Sequence, residues 1–344
     1  ESANLFTDLL SGLNKDGDYN GSQAINAAKE WIAGIGESND SVTAANNSVL
    51  DLISRFQHGN VEGTVADGYV AGATLFIDEN GDGIQNPGEL STTSDALGNF
   101  LFEGDLPDGQ IVSIGGTDIA TNQPFTGVLT APSGATTVTP LTTLVNNLVK
   151  SGLAADISAA ENILFKAFDM PRVDLSTFDP INTALDSNAS VENQNIAIKL
   201  QSATSQIMNL LNVSSTLIRP DSAAGSNIQQ AVFSGLLDTL VSAASNNQTV
   251  DLSDVATITT IIQTSASNAG VTQNIDGVAA QSATILSEIN SRTQAAADSL
   301  SNGEQTTITA LSDIFKLQSI TQAGIATAIS STQQSGDLTS VVSQ

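Results

Sequence analysis

The chain has 344 residues, which is enough for two or three domains of ordinary size. Its formal net charge is −26, from 10 Lys and Arg against 36 Asp and Glu. A surface of this charge repels nucleic-acid phosphates and anionic lipid and attracts divalent cations, so we expect no nucleic-acid binding. Cysteine is absent, which excludes disulfides, thiolate metal sites and cysteine nucleophiles. No apolar run approaches the ~20 residues that span a bilayer.

The sequence pattern of the first 60 residues predicts short helices and turns. One helical stretch begins near Ser22, and a second covers the residues from Val42 to Phe56. His58 is the only imidazole of the chain and follows the end of this second stretch, where a solvated side chain is expected and not a catalytic one. We interpret residues 1–60 as an N-terminal helical region.

Residues 61–135 have the sequence pattern of short β-strands. Runs of β-branched and aromatic residues occur at Thr74–Ile77, Asn99–Phe102 and Ile111–Ile114. Gly-rich turns separate them, and Leu106–Gly109 is one such turn. This spacing predicts a small antiparallel β-sandwich.

From residue 136 the apolar residues recur with the period of a helix. Thr139 is a suitable N-cap and Pro140 a suitable first helical residue, and Ser158 with Glu161 suggests a capping box for the next helix. Further helical stretches are predicted at Ile196–Leu210, Ile228–Leu240, Asp254–Ser265, Val278–Ile289 and Thr306–Ile329. We interpret residues 136–344 as an α-helical bundle, the alternative being a partly disordered low-complexity tail.

A twelve-residue calcium-loop pattern runs from Asp78 to Glu89. The expected ligands are the side chains of Asp78, Asn80, Asp82, Asn86 and Glu89 and the backbone carbonyl of Ile84. Gly83 permits the sharp turn at the sixth position. Six or seven oxygens in a flexible ring favour calcium over magnesium, and the lack of thiolates disfavours zinc. The alternative is an acidic β-turn that holds no ion.

The flanks of this loop predict a structural site. Both flanks look extended, whereas a calcium sensor places its loop between two helices that reorient. A second, weaker match has Asp16, Asp18 and Asn20 at the first three ligand positions. Ala27 stands at its twelfth position and cannot bind, although Glu30 could substitute, so an Asx-rich turn that caps the following helix is the better interpretation.

The common catalytic signatures are missing from the sequence. It has no nucleophile elbow, zinc-protease helix motif, phosphate-binding lysine loop or dinucleotide glycine fingerprint. A glycosidase-like carboxylate pair stays open, but the only Trp and Tyr residues that could form a sugar platform are Tyr19, Trp31 and Tyr69. We therefore expect the protein not to be an enzyme.

Three segments of the β region resemble the carboxypeptidase-regulatory-like and adhesin B-repeat modules of exported bacterial surface proteins. They are Val70–Asp78, Thr92–Phe100 and Leu106–Gly109, and the stretch at 138–145 looks like the junction that follows such modules. The resemblance implies a Greek-key sandwich over residues 63–115 that serves as a spacer or support. It also implies calcium binding by Asp78, Asn80, Asp82 and Glu89.

These observations predict an α+β multidomain protein, with a small antiparallel Greek-key β-sandwich flanked by a short N-terminal helical region and a larger C-terminal α-helical bundle. The chain begins with Glu1, so we expect a mature or excised form located outside the cell, at the bacterial cell surface. The predicted function is a calcium-braced structural or adhesive protein. Its expected partners are further copies of the chain, in a layer or filament, or other cell-surface components. The alternatives are a ligand-binding pocket in the helical bundle and a carboxylate-pair hydrolase.

Overall fold

The computed structural model describes residues 60–104, 106–218, 228–271 and 274–325. The predicted N-terminal helical region and the weaker ion site at Asp16, Asp18 and Asn20 lie outside these ranges. The chain divides into two compact units, residues 1–62 with 101–108 and residues 63–100 with 109–344. Of the first unit little is described, and there the Gly104 N–H donates to Asn60 Oδ1 at 2.7 Å.

Short strands occupy the chain from Val61 to Val138, as the alternating apolar runs predict. In chain order they are β1 (Val61–Val65), β2 (Val70–Ala71), β3 (Thr74–Asp78), β4 (Ser91–Thr93), β5 (Asn99–Phe102), β6 (Gln110–Ile114), β7 (Thr117–Asp118), β8 (Gln123–Pro124), β9 (Val128–Ala131) and β10 (Thr137–Val138). They form three small sheets with the orders β4-β3-β6-β9, β2-β7-β8 and β10-β1-β5. The first two are antiparallel, whereas β1 and β10 pair in parallel.

Strand β3 is the centre of the largest sheet. Leu75, Phe76 and Ile77 are all buried, so both of its faces are covered. Its last residue, Asp78, lies opposite Gln110 in the antiparallel register with β6. This register fixes where the chain leaves the sheet to begin the predicted calcium loop.

Helices follow the strands. They are α1 (Pro140–Lys150), α2 (Ile157–Ala167), α3 (Pro180–Leu185), α4 (Val191–Leu217), α5 (Ile228–Ser245), α6 (Val255–Asn268), α7 (Asp276–Ser301) and α8 (Thr307–Ser319), and a π-helical segment (Ile320–Ile325) continues α8. The mixed α and β composition is confirmed. The helices begin at Pro140, since strand β10 (Thr137–Val138) still lies beyond residue 136. Within the described ranges, no helix has both the length and the apolar character that crossing a bilayer requires.

Side-chain caps decide where most of these helices begin. Thr139 caps α1 by accepting from the Thr142 N–H at 3.0 Å, and Pro140 is the first helical residue, as predicted. The capping box expected at Ser158 and Glu161 is wrong, because Asp156 supplies the cap of α2 by accepting from the Ala159 N–H. Glu161 instead accepts the Leu175 N–H at 2.8 Å.

Helix α4 packs against α7 and α8 through an unusual number of buried polar side chains. Asn209 donates to Asn290 Oδ1 at 3.1 Å, and the Asn290 amide donates to the Leu252 carbonyl at 2.8 Å. Such pairs fix the register of neighbouring helices, although Asn209 Oδ1 itself has no partner. A smaller apolar cluster includes Ile198 and Ile314 with several alanines, whose size lets the helices approach closely.

Candidate metal centre

The predicted calcium loop joins β3 to β4, and strands therefore flank it on both sides. Its first residue, Asp78, is almost fully buried and accepts three backbone N–H groups of the loop. Oδ1 accepts from Gly81 at 2.8 Å and Asp82 at 3.1 Å, and Oδ2 accepts from Gly83 at 2.9 Å. Gly83 has a φ of +75°, so the sixth position uses the left-handed conformation that glycine tolerates.

Four further predicted ligands lie together in the middle of the loop. The Asn86 amide nitrogen lies 3.0 Å from Asp82 Oδ2 and 2.9 Å from the Ile84 carbonyl oxygen. Asn80 donates to the same Asp82 oxygen at 3.1 Å. Hydrogen bonds from the Asn86 amide and the Ile84 N–H hold the pKa of Asp82 below its usual range. The loop thus brings several oxygen atoms close together, and these oxygens accept the positively polarised hydrogens of neighbouring N–H groups.

Glu89 closes the loop at its far end. Its Oε2 accepts the Asn86 N–H at 2.7 Å, and its Oε1 accepts the Glu79 N–H at 3.3 Å. The six predicted ligand residues therefore belong to one hydrogen-bonded loop. The carboxylates of the loop are not arranged as a cluster, since the described residues hold no group of three His, Cys, Asp or Glu side chains close enough for a metal ion.

The donor set fits a large hard cation. Each carboxylate oxygen has two lone pairs, so Asp82 Oδ1 and the two Glu89 oxygens, which accept one N–H group each, retain capacity for an ion. Both Asp78 oxygens already accept two N–H groups, so an ion there would have to replace one of them. Half-turns of the Asn80 and Asn86 amides would present their oxygens in place of their nitrogens. Such a ligand set would consist of carboxylate, amide and carbonyl oxygens, the chemistry that calcium prefers.

A chain of side-chain amides connects the loop to helix α1. Gln110 donates to Asp78 Oδ2 at 2.5 Å, and Asn146 of α1 donates to the Gln110 amide oxygen. Asn146 also reaches Thr130 Oγ1 on β9 at 3.0 Å. At the end of the same helix, the Lys150 ammonium donates to the Gly81 carbonyl at 2.6 Å. The first helix of the helical region therefore contacts the loop directly at Gly81 and is linked to Asp78 through Gln110 of β6.

A second group of acidic residues, which the sequence analysis did not single out, is fully buried elsewhere in the same unit. Asp67 lies in the turn between β1 and β2, and Asp118 ends β7. Gly68 packs directly on this pair, since a Cβ there would lie 2.5 Å from Asp118 Oδ1. Burial raises the pKa of Asp67 well above its usual range, and the nearby Asp118 raises it further. Burial also raises the pKa of Asp118.

Glutamines from the helical region surround this pair. Gln201 of α4 donates to the Asp67 carbonyl at 2.7 Å. Gln322 of the π-helical segment donates to Asp118 Oδ2 at 3.2 Å, and Gln318 of α8 donates to it at 3.4 Å. The Gln318 amide also lies near enough to Asp67 to lower the pKa of that carboxyl. No motif in the sequence marks these residues, because they come together only in the fold.

The turn that carries Asp67 is held in an uncommon conformation. Tyr69 has a φ of +57°, a region that non-glycine residues rarely adopt. Its hydroxyl donates to Asp179 Oδ2 at 2.9 Å, and the Thr64 hydroxyl donates to the same oxygen at 2.9 Å. Asp179 also caps α3, so the turn is tied to a helix start. Burial raises the pKa of the Tyr69 hydroxyl, and the Asp179 charge contributes.

A cleft of about 570 Å³ opens beside this buried pair. Strand β9 and helix α5 border it and are joined by Gln229, whose amide exchanges two hydrogen bonds with the Val128 backbone at 2.9 and 2.8 Å. Met208 and Leu211 of α4 supply apolar lining, and Gln322 lines the cleft while contacting Asp118. Comparisons with protein-family models, curated proteins and solved structures find no match for the chain.

Proposed function

We propose that this chain is a calcium-braced structural or adhesive protein of the bacterial cell surface. The observation that carries the proposal is the path from the calcium-loop pattern into the helical region, through Asp78, Gln110 and Asn146. The resemblance of the strand region to Greek-key modules of exported surface proteins supports the location outside the cell. In this proposal the strands form such a sandwich, and the helices after residue 136 form a bundle.

The ion acts on stability and not on chemistry. An ion bound by Asp78 and its loop partners would hold the end of β3, and the Gln110 and Asn146 amides would pass that restraint to α1. A ligand that binds only the folded state stabilises it by about 2.7 kcal/mol when its concentration is a hundred times Kd. Strand flanks leave the loop little freedom to reorient, so we infer a structural role and not a signalling one.

Thermal unfolding with calcium and with chelator tests this role. We expect calcium to raise the Tm of the wild-type chain and to do so far less for a loop variant with Asp82→Asn and Glu89→Gln. Asp95→Asn is the matched control, because Asp95 also accepts backbone N–H groups in an exposed turn, from Leu97 and Asn99. An equal calcium response in the wild type and the loop variant would exclude the loop as the site.

Self-association is the second part of the proposal. A net charge of −26 opposes close packing of identical chains unless cations lie between them. We therefore expect calcium to promote assembly into layers or filaments and chelator to reverse it. Electron microscopy of the purified chain in both conditions provides the test, and dispersed particles in both would rule out calcium-driven assembly.

A ligand-binding module is the second candidate function, and the cleft beside Gln322 favours it. Its volume of about 570 Å³ is within the range of small-molecule sites, and Met208 and Leu211 give it apolar lining. Fragment screening by NMR would find binders that shift resonances of these two residues. Leu211→Trp should fill the cleft and abolish that binding, and binders that persist in this variant would argue against the cleft.

A further inference from the structure

Asp67 and the Gln201 and Gln322 amides have oxygens without a hydrogen-bond donor. The neighbouring Asp118 differs, because it accepts the backbone N–H groups of Ala120 and Thr121 and two glutamine amides. Asp67 is fully inaccessible to solvent, and neither of its carboxylate oxygens accepts a hydrogen bond. The Gln201 and Gln322 amides use their nitrogens on the Asp67 carbonyl and on Asp118, and this leaves their Oε1 atoms without a partner. Buried polar atoms are almost always paired, so a group of unpaired oxygens points to a missing partner.

The identity of that partner follows from charge and from coordination. A single proton shared by the two carboxyl groups would neutralise half of their charge and leave the amide oxygens unpaired. A divalent cation matches the charge of Asp67 and Asp118 and also accepts neutral oxygens as ligands. Calcium takes six to eight oxygens, whereas magnesium retains much of its water and zinc prefers nitrogen and sulfur.

The surroundings of the pair would give a cation access from the cleft, and they hold the glutamine side chains in position. Gln322 is only partly buried and lines the cleft, so an ion entering the cleft meets an amide that already contacts Asp118. Gln318 and Gln322 both reach Asp118 from the end of α8 and the π-helical segment that continues it. Short π-helical segments occur frequently at functional sites. The Ser205 hydroxyl donates to the Gln318 amide oxygen at 2.8 Å and thereby orients that side chain.

We propose that Asp67, Asp118, Gln201 and Gln322 form a second, buried calcium site. It would join the β1–β2 turn and β7 to helix α4 and the π-helical segment. The inference stands apart from the Asp78–Glu89 loop, with which it shares no residue. It adds a second point at which an ion would hold the strands against the helices.

Calcium titration calorimetry of the chelator-stripped full chain tests this site. The double variant Asp67→Asn with Asp118→Asn should lose one class of bound calcium, and the loop variant Asp82→Asn with Glu89→Gln should retain that class. If the loop proposal alone fails, the wild type binds calcium at one class of site and only the buried double variant abolishes binding. Unchanged calcium stoichiometry in the buried double variant would overturn the second site.

A milder variant guards against a double variant that fails to fold. Gln322→Ala removes one proposed ligand oxygen at a partly exposed position and should weaken calcium binding at the buried site by about tenfold or more. Gln248→Ala is the matched control, because Gln248 is exposed and belongs to a different cavity. Circular dichroism in chelator establishes that each variant is folded. Equal affinities in the Gln322→Ala variant and the wild type would count against the site, as would magnesium binding as tightly as calcium.

Discussion

The two acidic regions of the molecule differ in the hydrogen bonds that their carboxylate oxygens accept. In the Asp78–Glu89 loop the carboxylate oxygens of Asp78, Asp82 and Glu89 accept N–H groups from the loop itself. In the buried pair Asp67 accepts none. The loop therefore keeps its shape by local hydrogen bonds, and an ion would add to them. In the pair Asp118 also accepts backbone N–H groups, from Ala120 and Thr121, so the carboxyl that an ion would compensate is that of Asp67. We therefore expect substitutions at Asp78 and at Asp67 to change stability with opposite sign.

The largest effect that tests this contrast is expected at the loop. Asp78→Ala leaves the N–H groups of Gly81 and Gly83 without their acceptor beside a buried strand end, whereas the Asp82 N–H keeps Asn80 Oδ1. We expect the free energy of unfolding in chelator to fall by about 3 kcal/mol, as measured by urea denaturation. Asp95→Ala removes an exposed side chain and should cost distinctly less, because water replaces the lost acceptor. Equal losses of stability in the Asp78→Ala and Asp95→Ala variants would show that the burial of Asp78 does not matter.

Crowding at the buried pair should give the next largest effect. A Cβ on Gly68 would lie 2.5 Å from Asp118 Oδ1 and 2.6 Å from the Ala120 Cβ, so Gly68→Ala forces the pair apart. We expect a loss of about 2 kcal/mol in urea denaturation. Gly277→Ala is the control, since a Cβ at this position in α7 meets nothing within 4 Å. That variant should gain up to about 1 kcal/mol from helix propensity, and a gain in both variants would contradict the packing described here.

Neutralising one member of the pair should have the opposite sign to the loop substitution. Asp67→Asn removes a buried carboxyl that only the Gln318 amide, among the described residues, approaches as a side-chain donor. At a pH where Asp67 is ionised, we expect stability in chelator to rise by about 1 kcal/mol. In saturating calcium the same variant should be less stable than the wild type, because it lacks a ligand. Urea denaturation in both conditions measures the reversal, and a loss of stability in chelator would show that the charge is compensated.

The smallest effect is expected at Lys150, whose exposed ammonium donates to the Gly81 carbonyl. Lys150→Gln should lower stability in chelator by about 0.5 kcal/mol, since exposed charged contacts contribute little. It should tighten calcium binding by a few fold, because it removes a positive charge from beside the loop. Lys316→Gln is the control at an exposed lysine that pairs with Asp313 instead. Weaker calcium binding in the Lys150 variant would contradict this arrangement.

Local sequence signals were sufficient for most elements and for the loop. The cap at Thr139, the strand runs around β3 and β6 and the glycine at Gly83 each act within a few neighbouring residues, so their patterns are readable. The short helix α3 was not anticipated, because it lacks the length for a clear period. The π-helical segment lies within the helical stretch predicted at Thr306–Ile329, but its π geometry was not anticipated. The cap of α2 shifted to Asp156 because Glu161 is engaged by the Leu175 backbone.

The buried pair of Asp67 and Asp118 could not be predicted from the sequence, for a different reason. Gln201 lies 134 residues from Asp67, and Gln322 lies 204 residues from Asp118, so no window of sequence contains the group. Nothing in the sequence distinguishes Asp67 from the many exposed aspartates. Only the packing of strands against helices removes its solvent and exposes the shortage of donors.

The calcium-bound loop can be tested by a structure of the chain determined in saturating calcium. We expect a calcium ion in the Asp78–Glu89 loop, with oxygens of Asp78, Asp82, Ile84 and Glu89 at roughly 2.3–2.6 Å from it. The Asn80 and Asn86 amides should have turned their oxygens toward the ion. A loop that keeps its present hydrogen bonds, with no ion in it at saturating calcium, would show that it is not a calcium site.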